Sequence, residues 1–360
     1  MKKKSLFLAA LAALTMATSC SQDEQQSVNR GHAISFNAAL DVTRGADLTT
    51  EGLKTSGFWA TAVNDTHGTL FENQQFKFVD PVWVSDDKYF WQDYDLKFYA
   101  YAPEAKANGF SVDKANLTGF TVKKAVADQI DLVSGHAIGK AADAAKGVEM
   151  KLTHALSKIT LNVKGTNKAY KCVIKSVSIG NLKNMGNFNI ENSSWSNQNG
   201  KDVYTYLLDQ DVIVDGTQNT VELTPTGGFK LLPQDITAWN FKTDKISADM
   251  NGTYICMYIV LTSQGGSEQF KGNTYLPVPN LTWAPNKNYI YTVDFTNGFG
   301  YKGGVTDPGD PSKPNPDPKP GVDPDDPVLD TKNPIKFIDV KVTDWEDATQ
   351  PDISGKTEDK

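Results

Sequence analysis

Apolar and polar residues alternate in many short segments of this chain, and one segment near the N-terminus does so without interruption. In residues 34–42 the apolar side chains occupy every second position, at Ile34, Phe36, Ala38, Leu40 and Val42. Successive side chains of a strand point to opposite faces, so this pattern predicts a β-strand with one buried face. The segment that follows it contains Arg44 and Gly45 and is expected to be exposed.

The stretch Met150–Val163 changes its apolar face partway along. The repeating positions are even-numbered at first, at Leu152, His154 and Leu156. They are odd-numbered afterwards, at Ile159, Leu161 and Val163. A strand makes such a change through a bulge or a twist, so we expect this stretch to connect two β layers. We interpret His154 as a hydrogen-bonded strand residue, because no His, Cys or acidic ligand lies at a useful spacing from it.

Similar short segments recur through the body of the chain, with turn-forming residues between them. They lie at residues 58–63, 76–79, 82–84, 96–101, 171–179, 203–214, 220–223, 253–261 and 289–295. Because these strands do not alternate with helices, they predict an all-β fold of two β-sandwich domains, at residues 31–166 and 167–302. Residues 125–146 are rich in Ala and interrupted by Gly, which predicts a short helix or a loop there.

The composition changes abruptly after residue 302. Residues 303–333 are dominated by Asp and Pro, which cannot build a core, so we expect a disordered, extended linker. A terminal strand is predicted at 334–346, followed by a tail at 347–360, and its apolar residues are Ile335, Phe337, Val340, Val342 and Trp345. An apolar strand of this kind must pair with a sheet, either of its own body or of another molecule.

The N-terminus has the pattern of a secretion signal. Residues 1–19 combine three lysines with a short apolar stretch, and a membrane-spanning helix would need about 20 apolar residues. The sequence then resembles a bacterial lipobox ending at Cys20, so we expect Cys20 to be acylated and residues 20–30 to form a lipidated tether. The short acidic tract after Cys20 resembles the surface-export signal of Bacteroidetes lipoproteins. We therefore expect a lipid-anchored protein exposed on the outer membrane.

The net charge and the absence of known motifs argue against several classes of function. A net charge of −7 and a pI near 5.2 argue against a nucleic-acid partner. We expect no enzyme activity, cofactor or metal, because no nucleophile elbow, phosphate loop or metal-ligand motif is present, and Ser157 with His154 lacks an acidic residue nearby. Cys172 and Cys256 lie in strand-like segments, where they either pair or remain two buried thiols, and we favour the buried thiols.

Several segments together resemble the fimbrillin-like lipoproteins of Bacteroidetes, which include the type V pilus subunits. The resemblance is carried by the lipobox, the strand at 34–42 leading to Arg44, and the segments Tyr89–Trp91, Leu96–Pro103, Leu152–Ile159, Asn288–Tyr291 and Val342–Trp345. It implies two β-sandwich domains of transthyretin-like, Greek-key type and secretion as a lipoprotein. It also implies removal of the N-terminal strand by cleavage after an arginine, and polymerisation by donor-strand exchange.

On this resemblance, Arg44-Gly45 is the processing site. The donor and acceptor strand residues are Ile34, Phe36, Leu40, Val42, Ile335, Phe337, Val340, Val342 and Trp345. We hypothesise a pilus (fimbrial) subunit or adhesin whose partners are other fimbrillin subunits and surface ligands of host or bacterial cells. The Asp/Pro arm departs from the compact ending of the family, so shaft, tip, anchor and non-polymerising roles all stay open. The alternative is a non-polymerising surface lipoprotein that binds glycans through its Trp and Tyr residues.

Overall fold

Strands dominate the computed structural model, which describes residues 32–40, 48–217, 220–240, 251–302, 328 and 336–345. In the first part of the chain the elements are β1 (Phe36–Leu40), α1 (Thr50–Ser56), β2 (Phe58–Asn64), β3 (Gly68–Val79), β4 (Val82–Val84), β5 (Leu96–Ala102), α2 (Ala105–Asn108), β6 (Ser111–Asp113), β7 (Asn116–Thr121), β8 (Val133–Gly139) and β9 (Val148–His154). Two single 3-10 turns lie at Val126–Asp128 and Ala141–Asp143.

The second part of the chain contains strands throughout its described residues. They are β10 (Ser157–Lys164), β11 (Tyr170–Leu182), β12 (Met185–Asn189), β13 (Ser194–Asn199), β14 (Asp202–Val214), β15 (Val221–Glu222), β16 (Phe229–Leu231), β17 (Asp235–Ile236), β18 (Tyr254–Ser263), β19 (Glu268–Pro277), β20 (Leu281–Thr282), β21 (Lys287–Asp294), β22 (Tyr301–Lys302) and β23 (Lys336–Asp344). The predicted all-β fold is confirmed.

Seven strands of the first part close into a barrel in the order β1-β4-β3-β2-β5-β8-β9. The first strand completes the ring, because it pairs in parallel with β9 over residues 36–40 and antiparallel with β4 at Phe36. The interior mixes large aromatic rings with alanines, among them Phe36, Phe58, Phe98, Ala60 and Ala100. Closure leaves the ring without a free edge, so its backbone groups are paired within the barrel.

The second part forms a sandwich of two five-stranded sheets. One has the order β15-β10-β21-β23, with β16 beside β10, and the other has the order β14-β11-β18-β19-β22. Their facing apolar side chains, such as Leu161 and Met257, share one core. A further sheet of order β13-β12-β7-β6 combines strands from both parts of the chain. This sheet therefore joins a hairpin from the first part of the chain to a hairpin from the second.

The change of apolar face predicted in Met150–Val163 is a change of sheet. The chain bends at Ala155 and Leu156, both of which are buried. Before the bend β9 belongs to the barrel, and after it β10 pairs in parallel with β21 of the sandwich. The strand at residues 157–164 therefore belongs to the sandwich. From the sequence we had expected the first domain to continue to residue 166.

Of the expected linker at 303–333, the structure describes one residue, Val328. This side chain is fully buried in the core of the sandwich, and its backbone N–H donates to the Gly300 carbonyl at 2.8 Å. The reason is apolar burial, because valine in an Asp/Pro-rich segment gains free energy by leaving water. Val328 is therefore docked on the body, and a linker over the rest of residues 303–333 stays a prediction.

Candidate functional site

The strand β1 is built into the core of the barrel. Its inward side chains are buried, as the alternation predicts, at Ile34, Phe36, Ala38 and Leu40. The intervening Asn37 and Ala39 are exposed. Every second residue of β1 thus contributes to the hydrophobic core, and its backbone supplies the pairing that closes the ring.

Phe36 lies at the centre of this contact and is fully buried. Three phenylalanine rings surround it edge-on, with ring centroids at 4.6 Å for Phe76, 5.3 Å for Phe98 and 5.4 Å for Phe58. This edge-to-face arrangement is favourable because the positive ring edge meets the negative ring face. Nearby, the Trp83 indole N–H donates to the Ala38 carbonyl at 3.1 Å. Both the side chains and the backbone of β1 are therefore bound by the barrel.

The chain is anchored on both sides of the segment 41–47, which lies outside the described residues. Before it, the Leu40 N–H donates to Thr50 Oγ1 at 3.3 Å. After it, the Leu48 N–H donates to Asp131 Oδ2 at 2.9 Å. The next residue is the N-cap of helix α1. Both ends of the segment that contains Arg44 are thus fixed to the barrel.

The terminal strand β23 returns to the body of its own chain. It pairs antiparallel with β21 at the end of its sheet, and an ion pair joins Lys287 to Asp344. Val340 packs partly buried against the sandwich core, whereas the Val342 side chain is 46% exposed. Among the described strands, β21 alone pairs with β23. The Val342 side chain and, among the described strands, the second edge of β23 therefore stay accessible.

Directly after β23, a tryptophan reaches the connector between barrel and sandwich. Trp345 is 1% exposed, and its ring stacks on the His154 ring with centroids 4.4 Å apart and planes 9° apart. His154 is the last residue of β9, which also pairs with β1. Although the two terminal strands belong to different sheets, both contact this one strand.

An acidic residue completes the contact. Asp131 Oδ1 lies 2.7 Å from His154 Nδ1, and the two side chains are 7% and 1% exposed. A carboxylate only accepts hydrogen bonds, so Nδ1 carries the proton and donates. Because the other Asp131 oxygen accepts from the Leu48 N–H, one carboxylate joins the chain after β1 to the connector. We call Leu48, Asp131, His154 and Trp345 the connector cluster.

The interpretation of His154 as a hydrogen-bonded strand residue is confirmed, but the expectation that it lacks an acidic partner is wrong. Asp131 comes 23 residues earlier and reaches His154 because Val133 pairs with His154 across β8 and β9. Spacing along the chain cannot show such a neighbour. The pair does not activate Ser157, whose hydroxyl donates to the Ala284 carbonyl at 2.8 Å. His154 Nε2 is buried without a hydrogen-bond partner among the described residues.

Several predicted site residues lie outside the described part of the chain. They are Cys20, Val42, Arg44, Gly45 and Ile335. Phe337 lies in β23, where its backbone pairs with Val293. The roles of these residues in lipidation, processing and strand exchange stay predictions.

The two remaining cysteines are free and buried, which confirms the buried-thiol interpretation. Cys172 faces the sandwich core, whereas Cys256 faces a smaller cluster on the other side of the same sheet. Burial raises the pKa of both thiols, that of Cys256 to about 12. In the part of the chain that the structure describes, no group of three or more His, Cys, Asp or Glu could hold a metal ion. None of the described helices is long and apolar enough to cross a membrane.

Comparison with known proteins gives the family. The fimbrillin-like family model matches residues 43–307, so the chain belongs to the fimbrillin-like family. A fimbrial protein from Bacteroides vulgatus has a similar structure, with 16% identity, a TM-score of 0.54, and coverage of 73% of this chain and 95% of that chain. A candidate cell adhesion protein from Parabacteroides distasonis aligns with 13% identity, a TM-score of 0.46, and coverage of 89% of this chain and 99% of that chain. At 16% identity, the likeness to the fimbrial protein shows the fold alone. No curated protein matches the chain.

Proposed function

We propose that this protein is a fimbrial subunit or adhesin of the bacterial surface, exported as a lipoprotein on Cys20, cleaved after Arg44 and assembled by donor-strand exchange. Its membership of the fimbrillin-like family supports the general role. The observation that carries the assembly step is the position of β1, which closes the barrel with Phe36 at the centre of the core. Its partners are other subunits of the family.

Removal of β1 would open the barrel between β9 and β4. The backbone groups of β9 that pair with residues 36–40 would lose their partners, and the aromatic rings around Phe36 would face water. Unpaired backbone groups and exposed apolar surface both raise the free energy of the opened barrel. A strand from a neighbouring subunit restores the pairing and the burial together. The opened barrel is therefore an acceptor for a donor strand.

The anchors on both sides of residues 41–47 favour a clean separation. A cut after Arg44 leaves Leu48 bonded to Asp131 and the N-cap of α1 unchanged. The fragment that ends at Arg44 contains β1 and, through Cys20, the lipid. Cleavage thus separates one strand and the anchor from a body that keeps its other described strands.

The donor in this proposal is β23. It pairs with a single strand of its own body and exposes Val342, so its exchange disrupts fewer contacts than that of a central strand. Donation would release Val328 from the sandwich core, and the segment between Lys302 and β23 would then provide the reach, since an extended proline-rich chain spans about 3.1 Å per residue. When β23 leaves, Trp345 leaves His154, and the connector cluster loses its stacked ring.

The test cleaves the folded protein between β1 and the body. Residues 41–46 are replaced by the recognition sequence of a specific protease, and Cys20 is replaced by Ala for solubility. After cleavage we expect ladders that resist SDS, and a synthetic peptide of residues 32–42 should suppress them by refilling the groove. The matched control is the same peptide with Phe36→Asp, which should not suppress them because it places a charge in the core.

A cleaved protein that stays monomeric, keeps β1 bound and ignores added peptide would contradict the proposal. Ladders that form equally well after deletion of residues 334–360 would exclude β23 as the donor strand while leaving the groove as the acceptor. One gel therefore tests the acceptor groove and the donor strand separately.

A further inference from the structure

We infer that the barrel carries a saccharide-binding site, distinct from the two terminal strands, in a cavity beside helix α2. The cavity has a volume of about 670 Å³ and lies between β2, β5, α2 and β6. Small-ligand pockets typically enclose about 300–1,000 Å³, so it is large enough for one or two sugar rings. We call it the Trp59 cavity. The inference goes beyond strand exchange and assigns the protein a ligand class.

The walls of the Trp59 cavity are aromatic. Trp59 and Tyr101 are neighbours across β2 and β5, and their rings stack with centroids 6.4 Å apart and planes 28° apart. Phe110 packs edge-on against Tyr101 at 6.2 Å. Tyr101 and Phe110 are buried, whereas Trp59 is only partly buried and lines the cavity. The partly buried Trp59 indole thus lines the cavity and stacks on the buried Tyr101 ring.

The polar wall is fixed by Asn73. The Tyr101 hydroxyl donates to Asn73 Oδ1 at 3.3 Å, and Asn73 Nδ2 donates to the Val112 carbonyl at 3.4 Å. Asn73 has a φ of +49°, in the left-handed region, at an irregularity of β3, and its N–H donates to Thr61 Oγ1 at 3.0 Å. Its side chain therefore has a set orientation and links β5 to β6 across the cavity.

The rim carries one acid and one base. Glu104 and Lys106 both line the cavity, and their side chains form no ion pair or hydrogen bond with the described residues. A hydroxyl group both donates and accepts, so a polyol satisfies the carboxylate and the ammonium at once. The opposite charges of Glu104 and Lys106 cancel, so the rim gives no net attraction to a simple anion or a simple cation. The charges of the rim therefore favour a neutral, hydroxyl-rich ligand.

The cavity fits a sugar better than a peptide strand. A sugar ring has an apolar C–H face that stacks on an indole, while its hydroxyls point outward to the rim. An extended peptide would need a free sheet edge, and the edge strand that lines the cavity is β6, at the end of its sheet. Its Val112 carbonyl already accepts from Asn73. The combination of a partly buried indole in the cavity wall, unpaired rim groups and an engaged edge selects a neutral saccharide.

The test measures binding of neutral disaccharides to the full chain carrying Cys20→Ala. Lactose, maltose, cellobiose, mannobiose and N-acetyllactosamine are titrated in turn, with saturation-transfer NMR and calorimetry as readouts, and a decaproline peptide serves as the competing ligand class. We expect at least one disaccharide to bind with a Kd below ~10 mM. Binding by none of the five, or by decaproline alone, would overturn the assignment.

Three variants locate the site. Trp59→Ala removes the stacking face and should weaken binding about tenfold or more. Ser111→Trp fills the cavity from an exposed position on β6 and should weaken binding equally without removing a core residue. The matched control is Tyr94→Ala, since Tyr94 stacks on His67 at 4.0 Å and does not line the cavity. Undiminished binding by both cavity variants would place the ligand elsewhere and overturn the inference.

Strand exchange and saccharide binding fail independently. The Trp59 cavity contains no residue of β1 or β23, so Trp59→Ala and Ser111→Trp should still form ladders after cleavage. Loss of ladders with intact saccharide binding would contradict the assembly proposal alone.

Discussion

Replacing Phe36 with Ala tests the position of β1 in the barrel core. The ring is fully buried and surrounded edge-on by Phe76, Phe98 and Phe58. A buried Phe→Ala change costs about 3–5 kcal/mol, because transfer free energy is lost and a cavity remains. Aromatic pairs add ~0.5–1.5 kcal/mol each to the burial term, so three such neighbours place Phe36 near the upper end of that range.

The control for this variant lies on the same strand. Asn37 is exposed on the opposite face, where its side chain donates to Glu149 at 3.1 Å. Asn37→Ala should change the free energy of unfolding by less than ~1 kcal/mol, as surface substitutions usually do. Because both variants alter one residue of β1, the difference between them isolates the core contact from the backbone pairing.

Urea unfolding followed by tryptophan fluorescence measures both variants, since Trp83 and Trp91 are buried in the barrel. With a slope of ~1–3 kcal/mol per molar urea, a loss of ~4 kcal/mol moves the midpoint by more than 1 M. A Phe36→Ala midpoint that matches the Asn37→Ala midpoint would show that Phe36 does not anchor β1 in the core. In that case β1 would contribute little to the stability of the barrel, and its removal could not create an acceptor groove.

Three other predictions concern the anchor, the terminal strand and the thiols. Cys20→Ala should abolish lipid labelling and release the protein from membranes, and unchanged labelling would contradict the lipoprotein assignment. Trp345→Ala should lower the free energy of unfolding by about 3–5 kcal/mol through loss of the buried ring, and a change below ~1 kcal/mol would show that β23 is weakly docked. Cys172 and Cys256 should resist thiol reagents at pH 8 until the protein unfolds. Burial raises the folded-state pKa of both thiols above the ordinary 9.0, so the free energy of unfolding should fall as the pH rises past 9.0. Rapid labelling of the native protein would contradict the expected resistance to thiol reagents.

The alternation of apolar residues was sufficient to predict β1, because burial on one face of a strand leaves a period of two in the sequence. The burial of Phe36 follows directly from that period. The sequence also showed that the apolar face changes within Met150–Val163, but it did not show whether a bulge or a break between sheets causes the change. A bulge and a break between two sheets leave the same parity change, and only the pairing of β10 with β21 distinguishes them.

Other features left no readable signal. The strand β8 was not predicted, because its glycines resemble a loop. Gly135 is required there by a close approach, since a Cβ would lie 2.1 Å from the Lys151 carbonyl oxygen on β9. The Asp131–His154 contact depends on the same pairing of β8 with β9 and not on local spacing. The Trp59 cavity likewise joins residues from several elements, so its sequence shows only scattered aromatic residues.

The most direct test of the account is the N-terminal sequence of the protein recovered from the cell surface. The mature wild type should begin at Gly45 and run as ladders, whereas Arg44→Ala should accumulate as an acylated monomer that retains β1. A wild-type protein that still begins at acylated Cys20 and runs as a monomer would contradict it.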